Sequence, residues 1–118
     1  MSNPAITAIN EAEFDAAVRD ATTPLIVDFY ADWCGPCKTQ APILEAFARE
    51  RTADVTVLKV DVDQNSALAG RFAVRSIPTL VLFDGGEPVA SRVGAQSAKA
   101  LAELLSEAQP AAATHNNV

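Results

Sequence analysis

Histidine, cysteine and positive charge are all scarce in this chain. Its 118 residues include one histidine, two cysteines, and 9 lysines and arginines against 15 aspartates and glutamates, a formal net charge of −6. A chain of this length fits one domain and can bury a hydrophobic core without disulfide staples, which leaves both cysteines free for chemistry. A closed zinc site wants four ligands, and the lone histidine, His115, stands in the C-terminal tail, so no metal is expected. An acidic chain lacks the phosphate attraction on which nucleic-acid binding depends, and no nucleic acid is expected as a partner. No stretch approaches the roughly 18 apolar residues of a membrane span, and the N-terminus shows no basic flank followed by an apolar segment. The expectation is a cytoplasmic protein with no membrane association, a setting in which a close cysteine pair is catalytic more often than structural.

Both cysteines fall in Trp33-Cys34-Gly35-Pro36-Cys37-Lys38, directly after the apolar run Leu25-Ile26-Val27-Asp28-Phe29-Tyr30. A strand that ends in two thiols where a helix can begin sets the first sulfur near unpaired backbone N–H groups and the positive end of a helix dipole, which favours a thiolate. A disulfide spanning so few residues closes almost no loop and stabilises a fold only weakly. The pair therefore points to dithiol redox chemistry.

Hydrophobic spacing predicts the elements around it. Asn10 and Glu13 have capping-box spacing, and Phe14, Ala17, Val18 and Ala21 repeat at helical intervals, so residues 10–21 read as an amphipathic helix. Leu25–Tyr30 reads as a buried strand interrupted by Asp28, and the helix after the cysteines runs to about Arg51 with Ile43, Leu44, Phe47 and Ala48 as its buried stripe. Pro42 falls inside that helix and removes the bond to the Lys38 carbonyl, so a kink is expected there. A strand follows over Val55–Val62 and a helix over Ser66–Phe72. Thr79–Phe83 and Val89–Val93 read as an antiparallel hairpin joined by Asp84-Gly85-Gly86-Glu87-Pro88. A last helix spans Ser97–Ala108 with Leu101, Leu104, Leu105 and Ala108 on one face, and Pro110 ends it. The expected architecture is α/β, a βαβ half followed by a hairpin and helix around one mixed sheet. Asp61-Val62-Asp63-Gln64-Asn65 opens like a calcium loop, but the sixth position is Ser66 and the twelfth Phe72, so calcium is not expected. Gly85-Gly86 is a turn signal and not a phosphate cradle.

From about Phe14 to Leu105 the chain resembles the thioredoxin family. The resemblance is carried by Val27-Asp28-Phe29-Tyr30-Ala31 leading into Trp33-Cys34-Gly35-Pro36-Cys37-Lys38, then Ala41-Pro42, Lys59-Val60-Asp61-Val62-Asp63, Ile77-Pro78-Thr79 and Val93-Gly94-Ala95. It implies a thioredoxin fold over residues 1–109 with a disordered tail, 110–118. It also implies a protein-disulfide reductase with no bound cofactor, whose redox group is the Cys34–Cys37 disulfide and which draws on NADPH only through a thioredoxin reductase. The partners implied are that reductase and disulfide-containing target proteins, and the default state is a monomer.

Carried over residue by residue, Cys34 is the exposed nucleophile, Cys37 resolves the mixed disulfide, and Gly35 and Pro36 tune the couple toward reduction. Asp28 is the buried acid, a candidate general base for Cys37 acting through a water; the other reading is an aspartate at a strand edge with an ordinary hydrogen bond. Lys59 stands at the family's partner position, where it either pairs with Asp28 and moderates its pKa or is simply solvated. Ile77 precedes a cis Pro78 facing the cysteines. Trp33, Gly35, Pro36, Ile77, Pro78, Gly94 and Ala95 frame a mostly apolar docking patch, although Trp33 could equally serve packing. Tyr30, where many members carry tryptophan, and Pro88, which weakens pairing of the last strand, are departures from the family pattern. Two functions compete: a dithiol donor, and a partner-binding scaffold or holdase with incidental turnover. A specialised oxidant or isomerase conflicts with the Gly35-Pro36 dipeptide.

Overall fold

The computed structural model describes residues 5–108, so the tail expected over 110–118, with His115, lies outside the described residues. Nine elements follow in order: β1 (Ile6–Ala8), α1 (Glu11–Asp20), β2 (Leu25–Tyr30), α2 (Gly35–Glu50), β3 (Thr56–Asp61), α3 (Ser66–Arg71), β4 (Thr79–Asp84), β5 (Glu87–Val93) and α4 (Ala98–Leu105). The strands form one sheet in the order β1-β3-β2-β4-β5. β1 and β2 both run parallel to β3, while β4 is antiparallel to β2 and β5 to β4, so the sheet is mixed as expected.

Strand alternation sorts the core onto two faces. Ile26, Val57, Leu80 and Leu82 pack with Leu44, Phe47 and Ala48 of α2 and Leu101, Leu104 and Leu105 of α4. Leu25, Val27, Phe29, Leu58, Val60, Val81 and Phe83 pack with Phe14 and Val18 of α1 and Leu68 of α3. Asp28 follows the parity of Ile26, and Lys59 that of Val57, so both belong to the face that α2 covers.

The helix ends follow local chemistry. At α1, Asn10 Oδ1 accepts the Glu13 N–H at 3.0 Å while Glu13 Oε1 accepts the Asn10 N–H at 2.9 Å, the reciprocal box read from the spacing. Ala21 is not on the buried stripe; it is the exposed C-cap. α2 is continuous across Pro42, and its buried positions are Cys37, Gln40, Leu44, Phe47 and Ala48, with Ile43 only half-buried. The hairpin is tighter than the five-residue connection expected, because β4 and β5 extend to a two-residue Gly85-Gly86 turn with φ of 64° and 86°. Pro88 lies on the edge strand opposite Phe83, where the β4–β5 register shifts. β1 is an element the sequence pattern did not predict: it has three residues, of which only Ile6 is buried, too few to show a period of two.

Candidate active site

The dithiol sits just past the end of β2, the strand flanked by β3 and β4. The chain leaves β2 at Tyr30, turns through Ala31, Asp32 and Trp33, and enters α2 with Cys34 as the N-cap residue. The turn is held by the Cys34 N–H donating to the Ala31 carbonyl at 3.2 Å. Pro36 occupies the first turn of α2, where a missing N–H costs nothing because that donor has no intrahelical acceptor.

Cys34 and Cys37 form a disulfide with a Cα–Cα distance of 5.2 Å. Cys34 Sγ also accepts the Cys37 N–H at 3.2 Å, so this sulfur takes the place of the side-chain oxygen that usually caps a helix. A donor and the positive end of a sixteen-residue helix both favour negative charge there. On the opposite side, Cys34 Sγ lies 3.7 Å from the Ile77 carbonyl oxygen. The expected exposure of Cys34 is not seen in this disulfide form: Cys34 is 4% and Cys37 5% exposed, packed with Ala31 and flanked by Tyr30, Val62 and Ile77.

Asp28 is 5% exposed, and its Oδ1 is buried with no hydrogen-bond partner among the described residues, so the ordinary strand-edge bond is not what holds it. Burial pushes its carboxyl up to about 7, against a smaller downward pull from the Lys59 ammonium. Asp28 and Lys59 are register partners on adjacent strands. No salt bridge joins them, and Lys59 Nζ stands 5.4 Å from the centroid of the Tyr30 ring. The coupling of Lys59 to Asp28 is thus electrostatic across the strand pair and not a direct contact.

The remaining residues named from the sequence gather around the disulfide. The Ile77–Pro78 peptide bond is cis. The Pro78 carbonyl accepts the Gly94 N–H at 2.8 Å, which ties the end of β5 to the segment facing Cys34. Gly94 has a φ of 90°, a backbone setting that favours glycine, and a Cβ there would meet no protein atom. Gly35, Pro36 and Ala95 are exposed, Ile77 and Gly94 half-buried, and Pro78 buried behind them. Trp33 is 69% exposed and is not a packing residue. Its indole N–H donates to Asp63 Oδ2 at 2.8 Å, which holds the ring in place beside the dithiol.

Sequence reasoning missed two residues here. Asp63 stands in the calcium-like run and in the Lys59–Asp63 motif without a role of its own, and nothing in spacing alone connects it with Trp33 thirty residues earlier. Gln40 is fully buried on α2 and bonded to Gln96; an amide in an apolar helical stripe, three residues after Cys37, was the available signal. A groove of about 640 Å³ lined by Phe14, Arg71, Phe83 and the Gly85-Gly86 turn contains none of the site residues.

The family model named Thioredoxin matches residues 5–107. A thioredoxin of Mycobacterium tuberculosis is 49% identical over 102 residues, covering 86% of this chain and 88% of that protein. A thioredoxin of Haemophilus influenzae is 43% identical over 99 residues, 84% of this chain and 92% of that one. A bifunctional thioredoxin reductase/thioredoxin of Mycobacterium leprae is 48% identical over 102 residues, 86% of this chain but 22% of that longer protein. With a helix-capping disulfide at its centre and these relatives along most of its length, the chain belongs to the thioredoxin family and is a protein-disulfide oxidoreductase.

Proposed function

We propose that this protein works in the reducing direction, as a dithiol donor to disulfides of other proteins. The cap of α2, where Cys34 Sγ accepts a backbone N–H, supports Cys34 as the attacking thiolate, and the reducing direction rests on the Gly35-Pro36 pair between the cysteines, the dipeptide of the family's reducing members. In the reduced protein the Cys34 thiolate attacks one sulfur of a target disulfide. A mixed disulfide forms, and the second target sulfur leaves as a thiolate. Cys37 then gives up its proton, with Asp28 as the base, and attacks Cys34 Sγ. The bond between Cys34 and the target breaks, the target departs carrying both electrons as a dithiol, and Cys34 and Cys37 are left oxidised. A carboxyl held near 7 exchanges a proton readily at neutral pH, which is what this step asks of Asp28.

The exposed frame of Trp33, Gly35, Pro36, Ala95 and the half-buried Ile77 and Gly94 serves as the docking surface for an extended target segment. Recharging by an NADPH-dependent thioredoxin reductase is supported by the Mycobacterium leprae relative, whose name joins reductase and thioredoxin in one protein. The setting proposed is the cytoplasm, and the working unit a monomer. Among the described residues, no helix is long and apolar enough to cross a membrane.

The test is reduction of insulin by the pre-reduced protein. Insulin disulfides should open with the wild type, fail to open with Cys34→Ser, and accumulate as a trapped mixed disulfide with Cys37→Ser. Wild-type protein that leaves insulin intact sinks the donor reading. Survival of partner binding and cellular function in the Cys34→Ser/Cys37→Ser double variant would instead favour the scaffold, for which the exposed Trp33 is the supporting observation.

A further inference from the structure

Gln40 is 0% exposed, on a stripe of α2 otherwise built from Cys37, Leu44, Phe47 and Ala48. An apolar side chain would suit that position, because burying an amide is unfavourable unless both ends find partners. Both ends do, and on the same residue. Gln40 Nε2 donates to the Gln96 carbonyl at 3.0 Å, and Gln40 Oε1 accepts the Gln96 N–H at 2.5 Å. The identity of residue 40 is therefore explained by the segment it grips and not by the core it lies in.

That segment follows directly on Gly94 and Ala95. The Gln96 side chain turns back and donates to the Gly94 carbonyl at 2.9 Å, and Gly94 donates to the Pro78 carbonyl at 2.8 Å. Ile77, joined to Pro78, places its carbonyl oxygen 3.7 Å from Cys34 Sγ, and Cys34 is bonded to Cys37, one helical turn before Gln40. The contacts close a ring: dithiol, α2, Gln40, Gln96, Gly94, Pro78, Ile77 and back to the dithiol. In this ring Gln40 supplies the hydrogen bonds from α2 to the β5–α4 connection, and Gly94 supplies the one to Pro78.

We infer that Gln40 is a positioning residue for substrate docking, which sets the Gly94–Ala95 edge at a fixed place relative to the Cys34–Cys37 pair and so governs how well a protein disulfide is accepted. The inference rests on the proposed docking role of Gly94 and Ala95. It concerns the fit of a folded or extended protein substrate; a small disulfide that touches only the sulfurs does not use that edge.

Single-turnover oxidation of the pre-reduced full chain, measured against insulin and against 5,5′-dithiobis(2-nitrobenzoate), separates these contributions. Gln40→Met should raise the half-saturating insulin concentration about tenfold, while its limiting rate and its rate with the small disulfide stay within about twofold of wild type. Gln96→Ala, a change at a half-buried position, removes the link to the Gly94 carbonyl and should raise the same concentration about threefold. It tests the onward link from this clasp to Gly94, and Gln40→Leu, which removes the same two bonds, takes the place of Gln40→Met if that variant does not fold. Equal losses on both substrates would mean that the dithiol itself is disturbed and would overturn the inference. Ala95→Glu tests the underlying reading: if it weakens insulin saturation while the Gln40 and Gln96 variants do not, the clasp is irrelevant and the docking edge stands. If none of the three moves insulin saturation, the docking reading falls and the role of Gln40 falls with it.

Discussion

Asp28 shows how far a single residue can be read and where reading stops. A lone carboxylate in Leu25-Ile26-Val27-Asp28-Phe29-Tyr30 breaks an apolar strand, so its burial and its raised pKa were legible. That Lys59 acts on it without touching it was not legible, because register places Cα atoms and leaves open where a long side chain turns. Folded, Asp28 ionises near 7, against an ordinary value of 3.8. Between those values the folded state holds a proton that the unfolded state has released, so its contribution to stability falls as pH rises through the window and levels off above it. Asp28→Asn removes that titration. The variant should be more stable than wild type at about pH 8, by up to ~4 kcal/mol, with the advantage fading toward about pH 4. Urea unfolding of both oxidised proteins across that range reads this out, and a pH-independent difference would mean the carboxyl is not desolvated. In catalysis the same variant should resolve the mixed disulfide more slowly, on the order of 10²-fold if Asp28 is the base for Cys37. Lys59→Met removes the opposing pull, so the Asp28 carboxyl, followed by carbon-13 NMR, should titrate at higher pH than in wild type.

Elements with a strong period or a paired turn signal were legible, and so was the six-residue α3; the three-residue β1 was not. The capping box of α1 is written in Asn10 and Glu13, and Asn10→Ala should cost about 1 kcal/mol of unfolding free energy. The end of α3 carries no such signal. Its closing bonds run from the Val74 N–H to the Ala69 carbonyl at 2.9 Å and from the Ala73 N–H to the Gly70 carbonyl at 3.1 Å, the Schellman arrangement. That arrangement puts the residue after the C-cap in the left-handed region, where glycine usually stands, yet this chain has Ala73 at a φ of 57°. An alanine there is disfavoured by about 1–2 kcal/mol, and replacing it with glycine loses part of that gain to the freer unfolded chain. Ala73→Gly should therefore stabilise the protein by roughly 0.5–1 kcal/mol in the same urea experiment. A loss of stability would mean that the Ala73 methyl group makes a contact worth more than its backbone strain.

At the scale of the molecule, a mixed sheet with helices packed around it was legible because three of the helices show an apolar stripe, whereas which helices share a face was not. The closed ring of contacts around the dithiol was not legible either, because it joins Cys34, Gln40, Ile77, Gly94 and Gln96 from three separate segments. The same division bears on what the disulfide does for stability. The two large core clusters lie on either side of the sheet, and neither includes a cysteine; Cys34 and Cys37 form a third, small cluster with Ala31. A bridge across three positions closes so short a loop that chain entropy gives it only about 2 kcal/mol, against a stability of about 5–15 kcal/mol for a domain of ordinary size. Replacing both sulfurs with hydroxyls at nearly buried positions adds on the order of 1 kcal/mol each. The Cys34→Ser/Cys37→Ser variant should therefore unfold in one cooperative transition, lower than the oxidised protein by about 2–4 kcal/mol, with its far-ultraviolet circular dichroism unchanged. A fold that survives without the bridge leaves the pair free to cycle between dithiol and disulfide, as electron transfer to a target requires. Loss of the cooperative transition would instead make the bridge structural, and a reduced donor that must stay folded while it waits for substrate could not be built on it.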